Sequence, residues 1–226
     1  LSTSHAMKKE CAKYTNKSIE VTPFGIDTEK FKPFVPRDPI FDKGTVVIGC
    51  IKMLEKVAGV DILIHAFSLL LKNTTDSKTY KLLIVGGGSQ YTALKELCLS
   101  LNIGSHVHFT GFIDPEEVPN YHNMMTIEVY PSRHESFGVS ILEAMACGKA
   151  VIVSDVEGLP EIVEDNVSGL MVSELTAKAF CSAIEKILSD SEIQKNLSHF
   201  SRIHVTKNYE LKDSLNKIIS FYKTYF

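Results

Sequence analysis

At 226 residues the chain is long enough to bury one sizeable core with an appendage. A hydrophobic share of 44% and a charged share of 23% exclude a disordered chain, and a net charge of −3 lacks the positive excess of a nucleic-acid binder. The longest apolar stretch, Ile62 to Leu71, is broken by His65 and Ser68 and is too short to span a bilayer.

In chain order, the first segment reads as a helix from about Ser4 to Tyr14 and a strand from Ile19 to Thr22, ended by Pro23 and Gly25. Pro33, Pro36 and Asp38-Pro39 then space a connector that is neither helix nor central strand. Val46 to Ile51 is β-branched and almost wholly apolar, the pattern of a buried strand, and a helix follows from about Gly59 to Leu71. Lys81 to Val85 is the second such strand; Gly86-Gly87-Gly88 turns the chain into a helix carrying Leu94, Leu97, Cys98 and Leu101. Val107 to Thr110 and Thr126 to Tyr130 are the third and fourth strands. A helix from about Gly138 to Ala146, a fifth strand from Ala150 to Ser154 and a short sixth from Gly169 to Val172 complete the alternation. From about Leu175 the chain is helical, ending in an amphipathic stretch with Leu211, Leu215, Ile218, Ile219 and Tyr222.

Strand–helix alternation specifies an α/β fold: a doubly wound, Rossmann-like parallel sheet with helices on both faces. Ligands of such sheets sit outside the carboxyl ends of the strands, here after Ile51, Val85, Thr110 and Tyr130. The five cysteines form no C-x-x-C pair and read as small buried hydrophobes in a reduced, cytoplasmic setting. The opening residues lack the basic-then-apolar order of a signal peptide. Because the chain opens at Leu1 in what reads as the middle of a fold, a fragment is expected.

The strongest chemical signal is Glu135-Ser136-Phe137-Gly138-Val139-Ser140-Ile141-Leu142-Glu143, which leaves a strand and enters a helix. First-turn amides around Gly138 to Ser140 have no intrahelical partner, and the helix dipole makes that end electropositive, so a diphosphate can be held there without a metal. Glu135 and Glu143, acceptor-only carboxylates on either side of that seat, suit hydroxyl-rich groups such as a sugar and a ribose. No D-x-D occurs and the histidines show no metal spacing, so neither a metal nor another cofactor is expected. His134, next to Glu135, is within reach of the same pocket.

With Pro131-Ser132 before it and Glu-Ala-Met-Ala-x-Gly after it, the Glu135-to-Glu143 stretch resembles the signature of glycosyltransferase family 4, retaining enzymes of the two-domain GT-B fold. The resemblance extends to Val21-Thr22-Pro23-Phe24-Gly25-Ile26-Asp27, Val107-His108-Phe109-Thr110-Gly111-Phe112, Gly158-Leu159-Pro160-Glu161 and Ser168-Gly169-Leu170. It implies the C-terminal half of a GT-B fold. Residues 1–38 would be the tail of an N-terminal acceptor domain with the interdomain linker, 39–204 the nucleotide-sugar domain, and 205–226 a helix reaching back.

By the same resemblance Glu143 binds the ribose hydroxyls, Glu135 contacts the donor sugar, and the backbone of Phe137, Gly138, Val139 and Ser140 holds sugar and distal phosphate. Lys52 takes the place of the family's phosphate-gripping Arg, and Lys56 is the candidate for its Lys, although the spacing is one residue short. Gly87 sits in the tight turn on the cleft rim, and Phe112 with Ile113 matches the turn whose main chain reads the base. The implied reaction is transfer of a sugar from a nucleoside-diphosphate sugar to an acceptor hydroxyl with retention. The acceptor glycan or lipid-linked sugar would be held by the other domain, and the enzyme would be cytoplasmic or at the inner face of the membrane, in bacterial polysaccharide synthesis. A non-catalytic nucleotide-sugar module and a sugar-nucleotide 2-epimerase are the alternatives. Residues 1–27 and the last helix are expected to expose apolar surface toward the other domain.

Overall fold

The computed structural model describes residues 1–224, so the last two positions of the C-terminal segment lie outside the described residues. Six parallel strands form the sheet: β1 (Val46–Ile51), β2 (Tyr80–Val85), β3 (Val107–Phe109), β4 (Ile127–Tyr130), β5 (Ala150–Ser154) and β6 (Leu170–Val172). Their order is β3-β2-β1-β4-β5-β6, and the direction of winding reverses between β1 and β4. Val46 pairs with Tyr80 and Ile51 with Val85 along the full length of β1 and β2, whereas β1 meets β4 only at Ile48↔Ile127 and Gly49↔Glu128. The two strands therefore diverge at their carboxyl ends, as at the switch point of a doubly wound sheet.

Alternate residues of the strands feed two cores. Ile48, Cys50, Leu82 and Ile84 belong to the larger cluster, and Val47, Leu83 and Val85 to a smaller one with Met125 on the opposite face. Helices α2 (Val60–Asn73) and α7 (Ala177–Ser189) pack together, as do α5 (Val139–Ala146) and α8 (Ser191–Asn208). Helix α3 (Tyr91–Ser100) follows the glycine turn, and the four-residue α6 (Leu159–Ile162) follows β5. The sequence reading had no counterpart for α4 (Val118–Met124), which places Pro119 in its first turn, where a missing N–H is harmless.

Gly59 opens α2 in the left-handed region at φ +68°, and a Cβ there would lie 1.8 Å from the carbonyl oxygen of Pro131. The contact seats the loop after β1 against the loop after β4. Gly59→Ala is expected to lower stability by about 2–5 kcal/mol, combining left-handed strain with overpacking. Denaturant unfolding of the variant measures this.

The amino-terminal segment folds onto this domain. Helix α1 (His5–Cys11) is shorter than the expected Ser4–Tyr14 span, because Ser4 acts as its N-cap, accepting from the Met7 amide, and the last turn opens after Cys11. The Glu161 carboxylate accepts the amides of His5 and Ala6 at 2.7 Å each, and the Ser4 hydroxyl donates to the Ser136 carbonyl at 2.8 Å. No strand forms over Ile19–Thr22 among the described residues; a single bridge between Ser2 and Val21 stands in its place, since no longer partner lies alongside. Ile26 is buried and bridges to Glu210, just before α9 (Leu211–Lys223). Thus Ser2, Ser4, Thr22 and Ile26 are buried on this domain, while residues 12–18 and the side chains of Leu1 and Phe24 stay exposed. On α9 the apolar residues Leu215, Ile219 and Tyr222 form an exposed row at helical spacing.

Candidate functional site

The carboxyl ends of β1, β2 and β4 open on a cavity of about 920 Å³ at the switch point, large enough for a ligand of nucleotide-sugar size. Helix α5 points its amino terminus into it. Gly138, the N-cap, adopts φ +97°, and an added Cβ would press on Ile141, Leu159 and Ile162 at 3.0 Å each. No side chain caps this helix, so its first amides face the cavity with the positive end of the dipole. Phe137, Gly138, Val139 and Ser140 all line the cavity. Ser140 is fixed through its hydroxyl, which donates to the Ile51 carbonyl at 2.7 Å.

Lys52 and Glu135 also line the cavity, and their side chains form a close ion pair that is largely covered. Two candidates separated by more than eighty positions thus meet directly. The loop carrying Glu135 is held by Glu157: its carboxylate accepts the Glu135 amide at 2.8 Å and meets His134 Nδ1 at 2.9 Å. Glu157 adopts φ +45°, a left-handed conformation that its double contact maintains. No sequence feature singled it out.

Glu143, one turn into α5, lies at the rear of the cavity with a fifth of its side chain exposed. Behind it is a buried polar cluster. His122 of α4 is fully enclosed; its Nδ1 lies 2.8 and 3.0 Å from the two oxygens of Glu128, and its Nε2 lies 3.6 Å from Glu143 Oε2. The Tyr130 hydroxyl donates to Glu128 Oε2 at 2.6 Å and stands 3.2 Å from the Ser140 hydroxyl. Burial opposes charge on His122, but Glu128 and Glu143 together outweigh it and raise its pKa to about 9. Burial, reinforced by Glu128, pushes the Tyr130 phenol well above its ordinary range. The sequence did carry a signal for this cluster: Glu128 is the lone charge in an otherwise apolar strand, and an enclosed carboxylate needs a partner. His122, one of the histidines without metal spacing, is that partner.

Phe112 and Ile113 line the opposite wall, with the Phe112 ring 73% exposed. Gly87 does not line the cavity; it is buried behind that ring, where a Cβ would come within 2.6 Å of it. Lys56 is also off the cavity, exposed on the short turn Lys56–Ala58, and Val57 and Ala58 form the wall instead. The Lys56 carbonyl accepts from Arg133, whose guanidinium grips Asp61 through two bonds of 2.8 and 2.7 Å. The second lysine on the cavity wall is Lys30, from the segment after Asp27, paired with Glu116 at 2.7 Å. The wall carries Glu55, Glu135, Glu143 and Glu157 against Lys30 and Lys52.

The sequence profile of the family of Glycosyl transferases group 1 matches residues 31–204, a span that contains the whole sheet and most of the residues lining the cavity. The chain belongs to the group 1 glycosyltransferases. It is 32% identical over 187 residues to the GDP-mannose-dependent alpha-(1-6)-phosphatidylinositol monomannoside mannosyltransferase of Mycolicibacterium smegmatis, covering 76% of this chain and 48% of that enzyme. The structure superposes on sucrose-phosphate synthase from Thermosynechococcus elongatus with a TM-score of 0.89 at 26% identity, covering 100% of this chain and 57% of the other. The C-terminal domain of the group 1 protein LpcC from Francisella tularensis matches with a TM-score of 0.71 at 26% identity, covering 83% of this chain and all of that domain. This group 1 chain therefore has the fold of the C-terminal half of a GT-B glycosyltransferase and spans about half the length of the mannosyltransferase and of sucrose-phosphate synthase. No helix among the described residues is long and apolar enough to cross a membrane.

Proposed function

We propose that this chain supplies the donor site of a retaining, family 4 glycosyltransferase, binding a nucleoside-diphosphate sugar in the switch-point cavity. One observation carries the reading: Lys52, Glu135, Glu143 and the free amides of α5 converge on a single cavity from separate segments. The diphosphate would sit on the α5 amides, with Glu135 toward the sugar and Glu143 toward the ribose. On binding, Lys52 would exchange Glu135 for a phosphate oxygen, because two neighbouring anions then share its charge. Lys52 and the oriented amides would next stabilise the leaving diphosphate, and fixed donors of this kind contribute about 10²–10³-fold each in rate. The GDP-mannose dependence of the mycobacterial relative makes a purine nucleotide the first to try. The acceptor, a glycan or lipid-linked sugar, would be held by another domain, so the isolated chain would bind donor yet transfer little.

Lys52→Ala tests this. Affinity for a nucleoside diphosphate should fall roughly 10- to 150-fold, as for a lost charge-assisted bond of about 1.5–3 kcal/mol, while affinity for the free nucleoside stays constant. Equal losses for both ligands in calorimetric titration would make Lys52 a structural residue. The site is proposed to work without a divalent ion, so adding magnesium should leave the diphosphate affinity unchanged within about twofold; strict dependence on magnesium overturns that assignment.

A further inference from the structure

We propose that His122, anchored by Glu128, is a positioning residue that holds the Glu143 carboxylate ready for a ribose, so that this buried pair sets the preference for ribonucleotides over deoxyribonucleotides. The inference rests on the reading above, in which Glu143 meets the ribose hydroxyls.

The argument begins with the orphaned nitrogen. His122 is completely enclosed; Glu128 engages its Nδ1 with both oxygens, yet Nε2 has no hydrogen-bond partner among the described residues and lies 3.6 Å from Glu143. Its 3.6 Å separation from Glu143 Oε2 is just beyond hydrogen-bond range. Protonation logic fixes what that nitrogen carries. Glu128 demands a proton on Nδ1, so a neutral ring would aim the Nε2 lone pair at a second carboxylate. Only the doubly protonated ring presents a donor to each neighbour. The Phe31 ring packs against the imidazole in a T-shaped contact, centroids 6.1 Å apart, and helps to hold its orientation. Glu128 is held as well: its Oε2 also accepts from Tyr130.

The consequence for Glu143 is directional. Helix α5 sets its backbone, but its side-chain torsions remain free to scatter the carboxylate across the cavity. A fixed imidazolium behind one oxygen confines it and leaves the other for ligand hydroxyls, which lowers the ordering cost of binding. Closing 3.6 Å to hydrogen-bond distance requires a shift of well under an ångström, within the range of a small torsional adjustment of the Glu143 side chain. Of the two lysines on the cavity wall, Lys30 feels the charge of Glu143 but is hydrogen-bonded to Glu116, and Lys52 is paired with Glu135, so His122 is the cation seated behind the Glu143 carboxylate.

The test compares GDP and UDP with their 2′,3′-dideoxy forms by calorimetry, in the wild type, in Glu143→Ala and in the double variant His122→Leu/Glu128→Leu. Removing both partners leaves no lone buried charge, so the double variant is expected to fold. Its ribose preference should drop roughly tenfold, most of the way to the Glu143→Ala value, while the gain of diphosphate over nucleoside stays at the wild-type level. A folded double variant with the wild-type ribose preference overturns the positioning role. Should Glu143→Ala itself keep the preference, the ribose assignment falls first and the positioning role with it. If the double variant does not fold, nitrogen NMR on the wild type decides. The His122 Nε2–H signal should be present at neutral pH and should move with the ribonucleotide but not with the dideoxy form; an unmoved signal overturns the proposal.

Discussion

Glu143→Ala is expected to weaken nucleoside-diphosphate binding by roughly 10- to 150-fold, the largest effect of any single side chain on the ribose side of the cavity. A hydrogen bond to a charged acceptor is worth about 1.5–3 kcal/mol, and a ribose offers two hydroxyls to one carboxylate. The substitution leaves the scaffold largely intact: Glu143 is partly exposed, and removing it leaves His122 paired with Glu128. Affinity should therefore change far more than the melting temperature, which falls only by the smaller share that Glu143 adds to the charge on His122. Isothermal titration with the preferred nucleotide measures the first and calorimetric melting the second; unchanged affinity removes Glu143 from the ribose. Because α5 presents its amides at its start and Glu143 one turn later, losses at Lys52 and Glu143 should add within about 0.5 kcal/mol if they contact opposite ends of one ligand.

The frame of this domain was legible because its central strands are buried on both faces. Val46–Ile51 and Ala150–Ser154 are continuous apolar runs with β-branched residues, and both form strands over those bounds. The Glu135-to-Glu143 stretch could be placed for a related reason: a strand end, a left-handed glycine and a helix start in sequence leave one arrangement of the chain. What stayed hidden was pairing across elements. Helix α4 has Pro119 in its first turn and asparagines at 120 and 123, so no apolar period announces it. Without α4 there is nothing to carry His122 to Glu128 or to Glu143. Lys56 differs: its distance from Lys52 in sequence is right within one residue, yet its side chain stands exposed on the turn Lys56–Ala58 while Val57 and Ala58 line the cavity. At the amino terminus, Ile19 to Thr22 alternates as a strand does, but without a neighbouring strand the pattern produces one bridge.

The largest stability effect is expected at Glu128, with a pH dependence whose sign follows from His122. Glu128→Ala should cost about 3–5 kcal/mol, because it leaves the enclosed imidazole without its anchor and the Tyr130 hydroxyl without its acceptor. The groups facing His122 are Glu128 from β4, Glu143 from α5 and the uncharged Phe31 ring; Lys149, Cys50 and Cys147 act on the cluster through Glu128. In the folded protein His122 holds its proton to about 9, against 6.5 for the free side chain, so the native state binds the extra proton between those values. The contribution is therefore full below pH 6.5 and disappears as pH rises through 9. A difference of that size corresponds to about 3 kcal/mol. His204 works the other way: burial lowers its pKa, so its contribution is present above 6.5 and fades in acid, outside this window. Denaturant unfolding from pH 6 to 9.5 should show the wild type losing about 3 kcal/mol relative to His122→Leu/Glu128→Leu, in which the buried pair is gone. Parallel curves for the two proteins would mean that His122 is neutral in the fold, and the charged cluster behind Glu143 would have to be abandoned.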